Sequence, residues 1–167
     1  MNNLSGDAEL ARKGDTAAFA RLYSQVYKDL YHIALYSLRS SHDACDAVSD
    51  TVMDAFCNIG KLKDQNAFRS WIMKILYTKI KRRQKEYYKG GEEINENMFD
   101  SPDFDYLSVE VREVLEKLDG ESRLLLSLSL TEGYTSAEIA DICGSKPSTI
   151  RSKLSRIKQQ LRIELEE

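Results

Sequence analysis

Apolar residues recur at intervals of three and four along most of the chain, the spacing that gathers them on one side of an α-helix. Phe19, Leu22, Tyr23, Val26, Leu30 and Ile33 form the first such stripe. Asp15 stands where an N-cap belongs, so the pattern predicts a helix over about 16–38. Ser40, Ser41, His42 and Asp43 interrupt it. A second helix is expected to about Ile59. Ala44, Ala47, Val48, Val52, Ala55 and Phe56 lie on one side, and Asp43, Asp46, Asp50 and Asp54 form a stripe on the other. Gly60 stops it. After a polar loop, Asn66 can cap a third helix reaching about Tyr88. Its buried side is Phe68, Trp71, Ile72, Ile75, Leu76 and Ile80.

The pattern then lapses. Residues 90–106 are acidic, contain Gly90, Gly91 and Pro102, and carry isolated apolar residues at Ile94, Met98 and Phe99, as a solvated tether does. Periodicity resumes with Leu107, Val111, Val114, Leu115 and Leu118. A leucine-rich helix is predicted from Glu121 to about Thr131, broken by Gly133 and Tyr134. Thr135 or Ser136 caps a short helix ending near Cys143. Gly144 turns the chain, and Pro147 opens a last helix to about Glu164. With only two prolines and eight glycines, a turn-rich β protein is excluded. The expected fold is all-α: two small helical domains, 1–89 and 107–167, joined by the acidic linker 90–106.

The net charge of -3 argues against a polyanion partner only until its distribution is seen. From Lys61 to Lys89 there are ten Lys/Arg against Asp64 and Glu86. From Gly90 to Glu110 there are seven acids and no base. From Gly144 to Ile163 there are six bases and no acid. Two basic segments separated by an acidic one suit two contacts with a polyanion and a link that avoids it. No apolar run is long enough to span a membrane, and the N-terminus lacks a signal-peptide pattern, so a cytoplasmic protein is expected. Cys45, Cys57 and Cys143 are too few and too widely spaced for a disulfide framework. His42 and Cys45 share a helix face without further ligands close in sequence. Free thiols, no metal and no cofactor are expected.

The strongest chemical signal is Thr135 to Gln160. A capped short helix, a turn at Gly144 and a second helix with the stripe Ile150, Leu154, Ile157 and Leu161 make a helix-turn-helix pattern. Opposite that stripe lie Ser148, Ser152 and Ser155, flanked by Lys146, Thr149, Arg151, Lys153 and Arg156. Short hydroxyls and arginines suit a helix that reads base edges and holds phosphates in the major groove. The second signal is the third helix. Lys74, Thr78, Lys81, Arg82 and Lys85 make a basic stripe bordered by Tyr77, suited to a strand backbone with a stacked base. Trp71 reads as core. The third signal is the acidic stripe, either a solvated face or a dock for a basic partner. No phosphate-binding glycine loop, His/Asp/Glu cluster or nucleophile–base pair points to an enzyme or a small-molecule substrate.

Two segments carry a family resemblance. DACDAVSDTVMDAFCNIGKLKDQNAFRSWIMKILYTKIKRRQKE (43–86) resembles region 2 of bacterial RNA polymerase sigma factors of the extracytoplasmic-function class. LLLSLSLTEGYTSAEIADICGSKPSTIRSKLSRIKQQL (124–161) resembles their region 4. The resemblance implies a transcription initiation factor whose partners are core RNA polymerase, promoter DNA and an anti-sigma factor. It implies docking of the second helix, with Asp46, Ser49, Asp50, Met53 and Asp54, on the clamp of the largest polymerase subunit. It implies that the loop with Lys63 and Asn66, and the helix with Lys74, Tyr77, Thr78, Lys81, Arg82 and Arg83, open and hold the -10 element. The last helix would read the -35 element. The chain departs from the family at Ser49-Asp50, where Gln-Glu is common, and at Thr78 and Arg82, where Asn and Asp are common. It departs again at Ser145-Lys146, where an apolar residue and a Ser are frequent. The competing reading is a stand-alone helix-turn-helix regulator, which would not need the basic third helix.

Overall fold

A computed structural model describes residues 4–89, 108–131 and 133–166. The predicted linker, with Ile94, Met98 and Phe99, and Leu107 lie outside the described residues. Within the described residues the chain is helical, without a strand. The order is α1 (Leu4–Arg12), α2 (Thr16–Leu38), α3 (Ser41–Asn58), α4 (Phe68–Lys89), α5 (Val109–Lys117), α6 (Gly120–Leu126), a π-helical turn (Ser127–Thr131), α7 (Ser136–Cys143) and α8 (Pro147–Glu166). Short 3-10 turns, Ile59–Lys61 and Gln65–Ala67, bracket the loop before α4.

The first three predicted helices form as their stripes require. Asp15 caps α2 by accepting from the Ala18 amide, and Ser40 caps α3 by accepting from that of Asp43. Between them Arg39 takes a left-handed conformation (φ 58°), so two antiparallel helices meet across a two-residue corner. Two start signals differ from expectation. The side chain that stops the chain before α4 belongs to Asp64, which accepts from the Asn66 amide and opens a 3-10 turn. Asn66 itself is exposed and lies inside that turn rather than at a cap. In the second domain α6 begins one residue earlier than expected, at Gly120, with Asp119 as its cap.

α2 is the centre of the bundle. Leu22, Val26, Leu30 and Ile33 are buried, and the helix packs against α1, α3 and α4. It also packs against α6 and the π turn. The two halves of the chain therefore share one continuous apolar cluster, from Ala8 through Leu76 to Leu124, Leu128 and Ile157. Phe56, expected on the buried side of α3, is 48% exposed, with its ring edge on Phe19 at 5.2 Å. Trp71 sits half-buried against Phe68.

The helix-turn-helix is built by local chemistry. Thr135 and Glu138 form a reciprocal capping box at the start of α7. At its end Gly144 takes φ 67°, and the Ser145 amide donates to the Ala140 carbonyl at 2.8 Å, closing the helix before Pro147. A Cβ on Gly144 would meet open space, so its need for glycine is conformational and not steric. Gly144→Ala should therefore cost about 1 kcal/mol of stability. Gly60→Ala, equally uncrowded and without a positive φ, should cost less than about 0.5 kcal/mol. Urea denaturation of the two variants checks this; equal losses would remove the conformational argument.

Candidate nucleic-acid interface

The buried stripe of α8 is Ile150, Leu154 and Ile157, each at most 6% exposed. The helix packs on α7, α6 and α5. That anchoring turns its other side outward. Lys146, Ser148, Arg151, Ser152, Ser155 and Arg156 are all exposed there, and Thr149 is half-buried. Lys153 is held back by Glu121 of α6 at 2.8 Å. The result is an open, positively charged, hydroxyl-rich helix face standing beyond a tight turn; a major groove admits a single α-helix presented in this way.

α4 distributes the cations from Lys74 to Lys85 over two directions. Lys74, Thr78, Arg82 and Lys85 are exposed along one stripe with Lys81 at its border. Arg83 lies about 100° further round the helix and points at α3, toward Asp50 (3.4 Å) and Asp43 (3.9 Å). Lys79 makes the same kind of bridge to Asp54 at 2.6 Å. Lys63 and Asn66 are exposed in the loop that leads into α4. The structure thus gathers Lys74, Thr78, Lys81 and Arg82 on one face and sets Arg83 apart from them.

The acidic stripe of α3 is not a bare surface. Asp50 and Asp54 face α4 cations, and Asp46 pairs with His42 at 3.4 Å. Beside them Ser49 is exposed and Met53 is 67% exposed. Among the described residues His42, Asp43 and Asp46 bring one ligand-type atom each within 4.8 Å of one another. All three are already engaged with one another or with Arg83, and Cys45 is not part of the group.

Other important contacts were not anticipated. Lys74 pairs with Asp141 of α7 at 3.0 Å, and the Tyr77 hydroxyl meets the Cys143 thiol. Burial, and next the proximity of Cys143, raises the Tyr77 hydroxyl above its usual range; burial pushes the Cys143 thiol up to about 11. Arg39 pairs with Glu116 of α5 at 2.6 Å. Arg123 is 4% exposed, and burial above all pulls it down to about 10. It donates to the carbonyls of Tyr36 (3.1 Å), Ser37 (3.3 Å) and Leu118. A reading of apolar periodicity passes over Arg123 because leucines surround it.

Comparison with known proteins bears on what this face is for. Residues 22–87 match the family model Sigma-70 region 2, and residues 108–161 match Sigma-70, region 4. The chain belongs to the sigma-70 family. Within it, this sigma factor is of the extracytoplasmic-function class. It is 26% identical over 141 residues to the RNA polymerase sigma factor SigV of Bacillus subtilis, covering 83% of this chain and 85% of that one. It is 27% identical over 161 residues to the ECF sigma factor SigM of Mycobacterium tuberculosis, covering 93% and 82%. In fold it resembles CnrH, solved with the cytosolic domain of CnrY (TM-score 0.73, 21% identity, 98% and 97% covered). It likewise resembles RpoE of Bartonella quintana, solved with the anti-sigma factor NepR (TM-score 0.73, 23% identity, 89% and 96% covered). This sigma factor is a transcription initiation factor that directs RNA polymerase to promoters. No helix among the described residues is long and apolar enough to cross a membrane.

The split of α4 cations has a measurable consequence. Arg83→Gln should cost about 0.5–1 kcal/mol in urea unfolding at low salt, because it removes a partly shielded bridge to α3. Arg82→Gln, exposed and without such a bridge to α3, should cost less than half as much. The gap should narrow in about 1 M salt. Equal losses would place both arginines in the same environment.

Proposed function

We propose that the two regions divide promoter recognition between them: residues 1–89 engage polymerase and the -10 element, residues 107–167 read the -35 element, and 90–106 link them. The observation that carries this reading is the pair of basic faces, one on α8 and one on α4, each turned away from its own apolar stripe. On α8, Lys146, Ser148, Thr149, Arg151, Ser152, Lys153, Ser155 and Arg156 contact the duplex, with arginines and hydroxyls at base edges and lysines at phosphates. Lys153 leaves Glu121 to do so. On α4, Lys74, Tyr77, Thr78, Lys81 and Arg82, with Lys63 and Asn66 of the preceding loop, hold the unpaired strand through phosphate contacts and stacking. Arg83 serves by holding α4 on α3.

The α3 face with Asp46, Ser49, Asp50, Met53 and Asp54 docks on the clamp of the largest polymerase subunit. Met53 is the exposed apolar centre of that dock, and the acids at its edge meet a basic partner surface. An anti-sigma factor is the expected inhibitor, as the neighbour solved with NepR suggests. The factor acts without catalysis of its own, in the compartment where polymerase works.

Promoter-dependent transcription with purified core polymerase tests the whole reading. Met53→Ala should weaken core binding severalfold without loss of stability. Arg151→Ala and Arg156→Ala should each cost about 1–3 kcal/mol of -35 binding or discrimination. Lys74→Ala with Arg82→Ala should leave the closed duplex bound while permanganate reactivity of the -10 thymines disappears. Normal melting by that double variant would move strand capture off α4.

A further inference from the structure

The loop between α3 and α4, to which contact with the unpaired strand is assigned above, is fastened at every third residue. Ile59, Leu62 and Phe68 are buried. Gln65 completes the row, whose spacing follows from the 3-10 turns at both ends of the loop. Between these anchors Lys61, Lys63 and Asn66 stand exposed. Asp64 holds the turn among them: its carboxylate accepts from the Asn66 amide at 2.9 Å, and its carbonyl from that of Ala67 at 3.0 Å. Gln65 is the polar member of an otherwise apolar row. Its side-chain amide reaches α1 and donates to the Glu9 carboxylate.

α1 is itself held firmly. Ala8 and Ala11 are buried, and the helix packs on both 3-10 turns of the loop as well as on α2. Asp7 fixes it to α2 by accepting from Arg21, at 2.9 Å from Nη2 and 3.1 Å from Nε. Eight residues further along α2, Asp29 accepts at 2.6 Å from Arg69 in the first turn of α4. Eight helical residues rise about 12 Å. α2 thus fixes both supports of the loop, α1 on one side and the start of α4 on the other. Glu9–Gln65 ties the loop to the first of them. The tie is made by a neutral amide, so it takes up none of the positive charge of Lys61 and Lys63.

We propose that α1 positions this loop for base discrimination: Glu9, acting through Gln65, holds Lys63 and Asn66 in a fixed attitude to the unpaired strand. A side chain tells one base from another only when its own frame is held to within about 0.5 Å. On a slack loop the same lysine and asparagine would settle on phosphates, which carry no sequence information. Glu9 and Gln65 are positioning residues and touch no base. The inference rests on the assignment of the loop to the -10 strand.

Holoenzyme assembled from core RNA polymerase and the full chain should transcribe a barcoded promoter library randomised over both recognition elements. The transcribed barcodes then give the base preference at each position. Glu9→Ala should lower the ratio of best to worst base about fivefold at one or more -10 positions, and leave -35 preferences and core affinity within about twofold. Glu9→Gln keeps an acceptor oxygen and should retain the parent preferences. Gln65→Glu sets two carboxylates together and should lose the -10 preference. Adding Glu9→Gln to Gln65→Glu restores a donor and an acceptor and should recover it, which could not happen if Gln65 acted by touching DNA itself. Unchanged -10 preference in Glu9→Ala, with or without a general fall in transcription, overturns the proposal. So does a loss of preference at both elements alike, or a double variant that fails to recover. Lys63→Ala with Asn66→Ala separates this failure from that of the assignment beneath it. A changed -10 preference keeps the loop on the strand whatever Glu9→Ala does, and an unchanged one removes the loop from the strand and the proposal with it.

Discussion

The arrangement of this molecule hangs on one buried guanidinium. Arg123 gives up its water in a seam between helices, which is tolerable only if its donors find acceptors. The last turn of α2 offers them, because the terminal carbonyls of a helix have no intrahelical amide and carry the negative end of the helix dipole. Each side removes a deficit of the other, and leaving either unsatisfied would cost about 1–3 kcal/mol. Burial draws the group down to about 10, so at neutral pH it remains a cation among carbonyls. The apolar neighbours Leu124, Leu125 and Leu128 are buried around it. Apolar surface alone would let the second domain slide over α2; directional hydrogen bonds from a rigid fork fix one register.

The sequence announces the parts of this arrangement better than their junction. α2, α4, α7 and α8 have stripes that include large apolar residues and a nearby cap or stop, and α3, whose buried side is mostly alanine, is set off by Ser40 before it and Gly60 after it, so pattern and punctuation place them. α1 escapes such a reading because its buried residues are Ala8 and Ala11, too small to stand out among the polar residues around them. The segment after Leu126 reads as one helix because leucines continue through it, whereas the backbone widens into a π turn. Periodicity has no means of detecting that change. Phe56 reads as core because an aromatic ring on the apolar side of a helix is ordinarily buried; here its edge rests on Phe19 and about half of it stays in water.

The site is readable to the extent that it depends on one helix at a time. The α8 face follows from a buried stripe and an acid-free opposite face, both visible in the residues. The α4 stripe is visible too, but which of its cations are free is a question about neighbours. Arg83 and Arg82 are adjacent in sequence and alike in chemistry. Only the position of α3 makes one a bridge to Asp43 and Asp50 and leaves the other exposed. Lys74 and Tyr77 likewise stand out by their own chemistry, while their partners, Asp141 and Cys143, come from a distant part of the chain.

That partition explains how a chain of net charge -3 can serve a polyanion. Its acids are not spread evenly against its bases. Several are committed to holding helices: Asp43, Asp50 and Asp54 fasten α3 to α4, and Glu116 fastens the seam. Asp119 and Glu121 line one cleft with Lys81, Arg82 and Lys85 of α4 and with Arg39 and Arg123. Among the described residues, the opposition that the bases of α8 meet is Glu121 at Lys153. Exposed pairs contribute little stability each, so the ones that face DNA-binding cations can be exchanged for phosphates at small cost. The contacts at Arg39 and Arg123 differ, because Arg39–Glu116 is a short, largely buried pair and Arg123 donates to backbone carbonyls, so that removing either contact leaves a buried group without its partner. Thus the same charge pattern makes the contacts of the recognition faces replaceable and those of the buried Arg39 and Arg123 fixed.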